Sequence, residues 1–379
     1  MIKKVFPILA LSTFSSMLGA GIIVPLLPIY AESLGASGIW LGSIAAGFFA
    51  SNLIVTPIFG RLSDHKGRKS FISIGLFFYA AASFGFLWAS TVPQLVLVRF
   101  LQGIAGGMIL PIAQAYIGDI APAGEEGRWM GYFNAAMFTG FGVGPLMGGT
   151  LTEHFGMPIA FLTMGFLNLL AFLAVTIFLP EISERKLTSN PNPSFRKMGQ
   201  SNMIKGLFTF RLSFALGRGA FATFLPIFSG IYLGLSPSLI GVLLAVNLLL
   251  MSLLQVYSGN IADRFNRKAL IVNGSLINFV YLALIPLATN FWQLLAICIL
   301  GGLGGAISLP AASALTVEEG KKFGMGSTIA VFTIAFGLGM TTGPLLAGMM
   351  SDLIGINSVF YFAAAAGLTG TGLFIWFTR

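Results

Sequence analysis

The chain has 379 residues, of which 56% are hydrophobic and only 9% charged, with 48 glycines and 36 phenylalanines. Soluble domains carry about 25% charged residues, so this composition excludes a water-soluble globular protein and makes lipid the solvent. The net charge of +9 lies mostly in short loops between apolar runs, a pattern that orients membrane helices rather than binding nucleic acid. The single Cys298 excludes intrachain disulfides and multi-cysteine metal sites, and His65 and His154 stand too far apart in the chain to suggest a histidine metal site.

Lys3 and Lys4 precede a first apolar run that continues past Ile22 without a small-residue cleavage motif, so it reads as a retained helix and not a signal peptide. Spanning a bilayer takes about 20 apolar residues. Twelve segments qualify: 5–30, 38–60, 70–90, 94–119, 129–152, 157–179, 204–230, 237–259, 269–289, 292–315, 324–350 and 356–377. Barrel strands would be about ten residues long with alternating polarity, so the spans are helices. The one long polar stretch, 181–202, holds Pro191, Pro193 and mixed charge and reads as a surface linker.

Eighteen of the 21 basic residues fall before span 1, after spans 2, 4, 8, 10 and 12, or around the linker, and none falls in the loops of the opposite side. By the positive-inside rule both termini and the linker are cytoplasmic. The other three, Arg99, Arg211 and Arg218, lie within spans.

The sequence also repeats. Gly60-Arg-Leu-Ser-Asp64-His-Lys-Gly-Arg68-Lys69 recurs as Gly259-Asn-Ile-Ala-Asp263-Arg-Phe-Asn-Arg267-Lys268. Leu34-Gly35, Leu110-Pro111 and Gly144-Pro145 recur as Leu233-Gly234, Leu309-Pro310 and Gly343-Pro344, all at one and the same offset along the chain. Four coincidences at one offset mean duplication. The expected architecture is an all-α membrane protein of twelve transmembrane helices, in two six-helix bundles related by a parallel pseudo-twofold repeat. Residues 1–180 and 203–379 form the bundles, and 181–202 the cytoplasmic linker.

Gly60-x-x-x-Asp64-x-x-x-Arg68-Lys69 resembles the signature of the major facilitator superfamily. Arg99-Phe-Leu-Gln102-Gly103 resembles its second motif. Gly140-x-x-x-Gly144-Pro145-x-x-Gly148-Gly149 resembles its antiporter motif, and together they resemble the twelve-span drug:proton antiporter family. The resemblance implies that Arg68 pairs with Asp119 at the end of span 4. It also implies that Gly60, Asp64, Arg68 and Asp119, with Asp263 and Arg267 in the second copy, form a conformational latch. Gly60 would let span 2 pack closely against a neighbour. Gly140, Gly144 and Gly148 line one face of span 5, and Pro145 weakens the helix. Such a face suits a close, moving contact with a helix of the other half, or ordinary tight packing.

A charge inside a span is a functional hypothesis. Arg218 lies near the middle of span 7, with Arg211 two turns earlier on the same face. Arg99 lies in span 4, with Gln102 three residues on. All twelve acidic residues fall at helix ends or loops, none in mid-membrane. Two readings stand: Arg218 and Arg211 meet an anionic or zwitterionic substrate group, or backbone carbonyls and edge acids satisfy them. Gln102, Asn247 and Phe221 are further substrate-binding candidates. Arg99, Glu32 and Asp119 are the proton-coupling candidates.

The expectation is a secondary active exporter of small amphiphilic compounds, a proton-coupled antiporter working by alternating access, monomeric, in the cell membrane. Alternatives are an exporter or flippase of anionic amphiphiles or lipids, an uptake symporter or facilitator, and a non-transporting membrane sensor. With no G-x-x-x-x-G-K-[ST] loop and no nucleophile or acid–base constellation within the spans, neither ATP use, a cofactor nor enzymatic chemistry is expected.

Overall fold

The computed structural model describes residues 2–122, 125–181 and 198–379, without the side chains of Lys4, Glu126, Gly127, 255–264, Met325 and Gly326. Most of the predicted linker, 182–197, lies outside the described residues. Among the described residues the chain is helical throughout. In order the long helices are α1 (Ile2–Ser33), α2 (Gly38–Lys66), α3 (Arg68–Gly85), α4 (Val92–Ile120), α5 (Glu126–Phe155) and α6 (Met157–Phe178). Then come α7 (Asn202–Ile227), α8 (Pro237–Arg264), α9 (Arg267–Leu284), α10 (Phe291–Phe323), α11 (Met325–Ile354) and α12 (Ile356–Thr378). Ten of these helices are long and apolar enough to cross a membrane. The two others are α3, which spends its first two residues on Arg68 and Lys69, and α5, which is rich in glycine and carries Glu126, Arg128 and Asn134.

Helices run further than the apolar segments do, because a helix leaving lipid continues into polar turns. Thus α2 extends through Asp64 to Lys66, and α10 through Glu318, Glu319, Lys321 and Lys322. Several junctions shrink to one glycine. Gly156 (φ 84°) joins α5 to α6, and Gly355 (φ 115°) joins α11 to α12, both in a region that side chains avoid. These two glycines are counterparts in the repeat.

The described chain falls into two compact units, one of residues 2–36, 47–181 and 235–245, the other of 37–46, 198–234 and 246–379. In the first, α1 packs on α5 and α6, and α3 packs on α4 and α6. In the second, α7 packs on α11 and α12, and α9 packs on α10 and α12. The pairings match when six helices are counted forward. The first turns of α2 and of α8 belong to one unit and the remainder of each helix to the other.

Glycine sets how close these helices come. In lipid no hydrophobic force drives two helices together, so van der Waals contact between bare backbones must do it. A Cβ on Gly144 would stand 2.5 Å from Gly21 Cα, one on Gly140 would stand 2.6 Å from the Phe14 carbonyl oxygen, and one on Gly148 would stand 2.4 Å from that of Ile22. These glycines of α5 therefore face α1 of their own unit, which corrects the expected contact with the other half. The reason is that α1 presents Gly21 directly opposite. Gly339 and Gly343 of α11 meet Leu212 and Leu216 of α7 in the same way, each with a carbonyl oxygen 2.4 Å away.

Gly144→Val therefore drives a side chain into the α1 backbone, and overpacking of this kind costs about 1–3 kcal/mol or more. Its melting temperature in detergent should fall by several degrees. Gly118→Ala on α4, where a Cβ meets nothing within 4 Å, should leave it unchanged.

Candidate functional site

Arg68 occupies the first turn of α3, where the helix dipole disfavours a cation, and Asp119 the last turn of α4, where it disfavours an anion. Each corrects the other. Arg68 is buried, its Nε lies 2.6 Å from Asp119 Oδ2, and its Nη2 donates to Asp119 Oδ1 at 3.1 Å. Nη2 also stands 3.2 Å from Asp64 Oδ1 at the end of α2. Two guanidinium nitrogens thus stand against one carboxylate, one of them through a charge-assisted hydrogen bond. It draws the ends of α2, α3 and α4 together within one unit. Gly60 does not share in this: among the described residues a Cβ there would meet nothing within 4 Å.

The second copy has the same design with a different acid. Arg267, in the first turn of α9, pairs with Glu318 of α10. Glu318 is the repeat counterpart of Asp119, so the repeat offset was the signal that could have found it. The side chain of Asp263 lies outside the described residues. Asn266 caps α9 through its side-chain oxygen, which accepts from the N–H groups of Lys268 (3.0 Å) and Ala269 (3.3 Å).

The arginines within spans are held without any carboxylate. Arg99 is 9% exposed; its Nη1 donates to Gln102 Oε1 at 2.7 Å, and its guanidinium carbon lies 4.7 Å from the Phe48 ring centre. Gln102 Nε2 in turn lies 3.8 Å from Met164 Sδ. Arg218 is half-buried, and its Nη1 donates to Asn247 Oδ1 at 2.6 Å. Asn247 Nδ2 then donates to the Cys298 carbonyl at 2.9 Å, which fixes the amide with its oxygen toward the arginine. Phe221 lies 5.9 Å from the Arg218 guanidinium and packs edge-on against Tyr281. A cavity of about 10 Å³, room for a single water, adjoins Arg218, Ser213, Asn278 and Tyr281.

Arg211 does not join this group. It is half-buried between Phe332 and Phe336 of α11, at 4.8 and 4.4 Å from their ring centres. Two aromatic faces make a cation site that needs no counter-ion. Sequence spacing gives no sign of it, because both rings come from another helix. Glu32 is exposed at the end of α1. The structure thus brings together Arg68, Asp64 and Asp119, then Arg267 and Glu318, then Arg99 and Gln102, and finally Arg218, Asn247 and Phe221.

Long apolar helices in two units with matching pairings, paired charges at helix ends and cations satisfied inside define a multi-pass membrane transporter. The profile of the Major Facilitator Superfamily matches residues 9–236 and 207–379. The chain is 31% identical over 369 residues to the MFS-type transporter MJ1560 of Methanocaldococcus jannaschii, covering 96% of this chain and 95% of that one. It is 29% identical over 384 residues to the quinolone resistance protein NorA of Staphylococcus aureus, covering 97% and 95%. Among solved structures, a bacterial homologue of the human lysosomal transporter Spinster, inward-facing and occupied, superposes with a TM-score of 0.85 at 15% identity, covering 99% and 96%. The chain belongs to the Major Facilitator Superfamily.

Arg68→Asp should destabilise the protein by leaving Asp119 beside a second carboxylate. Adding Asp119→Arg should restore part of the loss, with a coupling on the order of 1–2 kcal/mol in a double-mutant cycle by thermal unfolding. Strict additivity would show that the pair holds nothing.

Proposed function

We propose that the protein is a proton-coupled exporter of small amphiphilic compounds carrying an anionic or zwitterionic group, working by alternating access of two six-helix bundles related by a parallel repeat. One observation carries the substrate charge. Three arginines lie within spans, two of them only half-buried, and all twelve acidic residues lie at helix ends or loops. Arginine keeps its proton at neutral pH. A permanently positive interior attracts anions and repels cations, most strongly where water is scarce.

Arg218 is the binding centre of this reading. Its fork keeps one arm on Asn247 and has donors left for a carboxylate, and Phe221 supplies the adjoining apolar wall. Arg211 and Arg99 add to the positive field, and Gln102 holds the Arg99 guanidinium in place. NorA, named for quinolone resistance, supports the exporter reading. Quinolones carry a carboxylate beside a flat aromatic body, which is the chemistry this interior favours. Protons are carried by carboxylates at helix ends, Asp119 and Glu32, since mid-span has none. The Arg68 and Arg267 clusters lie on the basic, cytoplasmic side and bias which side is closed.

A quinolone carboxylic acid and its uncharged methyl ester test this directly. With purified protein, the acid should bind at least tenfold more tightly than the ester, about 1.4 kcal/mol. Arg218→Ala should erase the difference, and Arg218→Lys should keep part of it, because lysine lacks the bidentate fork. Equal binding of acid and ester, or tighter binding of a lipophilic cation, would contradict the proposed selectivity.

A further inference from the structure

At the ends opposite the basic clusters, two carboxylates occupy equivalent places in the repeat. Glu153 stands in the last turn of α5, and its counterpart Asp352 stands in the last turn of α11. Each lies where its own helix dipole is repulsive, and each reaches the start of another helix. Asp352 accepts from the backbone N–H of Gly38 at 2.5 Å and of Ile39 at 2.9 Å, the first residues of α2. Glu153 Oε2 accepts from the backbone N–H of Ser238 at 3.0 Å, in the first turn of α8. Gly38 and Pro237, which begin α2 and α8, are again counterparts in the repeat.

Beneath each carboxylate the backbones touch, at matching positions. A Cβ on Gly348 would stand 2.1 Å from the Gly38 carbonyl oxygen, and one on Gly42 would stand 2.2 Å from that of Pro344. A Cβ on Gly149 would stand 2.2 Å from the Pro237 carbonyl oxygen, and one on Gly241 would stand 2.3 Å from that of Pro145. The antiporter-like residues Pro145 and Gly149 therefore meet the start of α8, while Gly140, Gly144 and Gly148 meet α1.

We propose that Glu153 and Asp352 are a matched pair of positioning residues, clasps that cap the first turns of α8 and α2 and hold the outer end of the chain shut until the transport cycle parts them. A helix start has orphan N–H groups that must find an acceptor. When the clasp is closed the carboxylate is that acceptor. When it parts, water takes the N–H groups and the carboxylate alike, so the clasp sets a bias between states without locking either. The contacts are electrostatic and directional, and the glycine seam below lets them close without side chains in the way. The clasp is not a pH switch. The Ser238 hydroxyl, then the Ser236 hydroxyl and the Ser238 N–H, hold the Glu153 carboxyl down at about 2, with His154 adding slightly. A depressed carboxylate contributes closure that is present above the ordinary range near 4 and lost only as pH falls below it. Glu153 thus stays charged throughout the physiological range.

The inference rests on alternating access but not on the substrate reading, and a labelling experiment separates them because it needs no substrate. In a Cys298→Ser background, single cysteines replace Leu41 and Ile240, which are 5% and 1% exposed beneath the two clasps. A membrane-impermeant maleimide is applied outside intact cells, and rates are normalised to a cysteine at exposed Ser33. Asp352→Asn should raise the rate at position 41 at least fivefold, and Glu153→Gln should do the same at position 240. Asp352→Glu should restore most of the protection. Ser238→Pro removes the donor but keeps the charge, at a helix position that tolerates proline, and should match Glu153→Gln. Rates within twofold of the parent in the neutralised variants overturn the proposal. So does Ser238→Pro without effect, which would leave Glu153 a solubilising charge. Failure to label position 33 from outside would overturn the placement of the clasps on the outer side.

Discussion

Asp119, Glu318, Glu153 and Asp352 each stand near the C-terminal end of a helix, where the dipole of that helix repels them. Asp119 and Glu318 are each held by an arginine from the first turn of a neighbouring helix, itself misplaced against its own dipole. Glu153 and Asp352 are each held by the bare N–H groups of a helix start. An anion in that position stabilises nothing within its own helix. Its effect arises only through contact with another element, which makes it a marker of tertiary structure. The first pair braces the basic end of each unit, and the second pair ties down the starts of α2 and α8.

The same constraint shapes the interior. Arg99 rests on an amide and an aromatic face, Arg211 on two aromatic faces, and Arg218 on an amide and one ring, while the Nε of Arg99 and of Arg211 is buried without a hydrogen-bond partner among the described residues. None needs a carboxylate, so the interior keeps its positive charge. The three are not repeat-related: the counterpart of Arg99 is Cys298, whose carbonyl anchors Asn247 beside Arg218. The glycines and helix-end acids follow the repeat offset, and the three arginines within spans do not.

Much of the fold was legible because hydrophobic length and repetition are local and additive signals. Each of the twelve apolar segments corresponds to a helix, with ends displaced where polar turns continue it. Arg68 with Asp119 was legible through the resemblance of the motif, and Glu318 was within reach of the offset but unread. What stayed hidden depends on which helix lies opposite. A glycine stripe on α5 announces close approach, yet nothing in α5 says that α1 is the neighbour rather than a helix of the other half. The signature glycine at position 60 meets no neighbour among the described residues. The aromatic sandwich around Arg211 comes from two rings one helical turn apart on α11, a distant helix in the sequence. The caps at Glu153 and Asp352 were invisible for the same reason: an acid at a span end reads as an ordinary interfacial charge.

In the proposed cycle the chain couples proton movement to export of an anionic or zwitterionic amphiphile. Purified protein in liposomes with an acidic lumen, supplied with a quinolone carboxylate outside, tests it most directly against protein-free liposomes under the same gradient. The expected result is accumulation above the level reached without protein, abolished when a protonophore collapses the gradient beforehand, together with a substrate-dependent loss of lumenal protons that protein-free liposomes lack. Equilibration at a rate indifferent to the gradient, with no substrate-dependent proton flux, would contradict it and make the protein a facilitator.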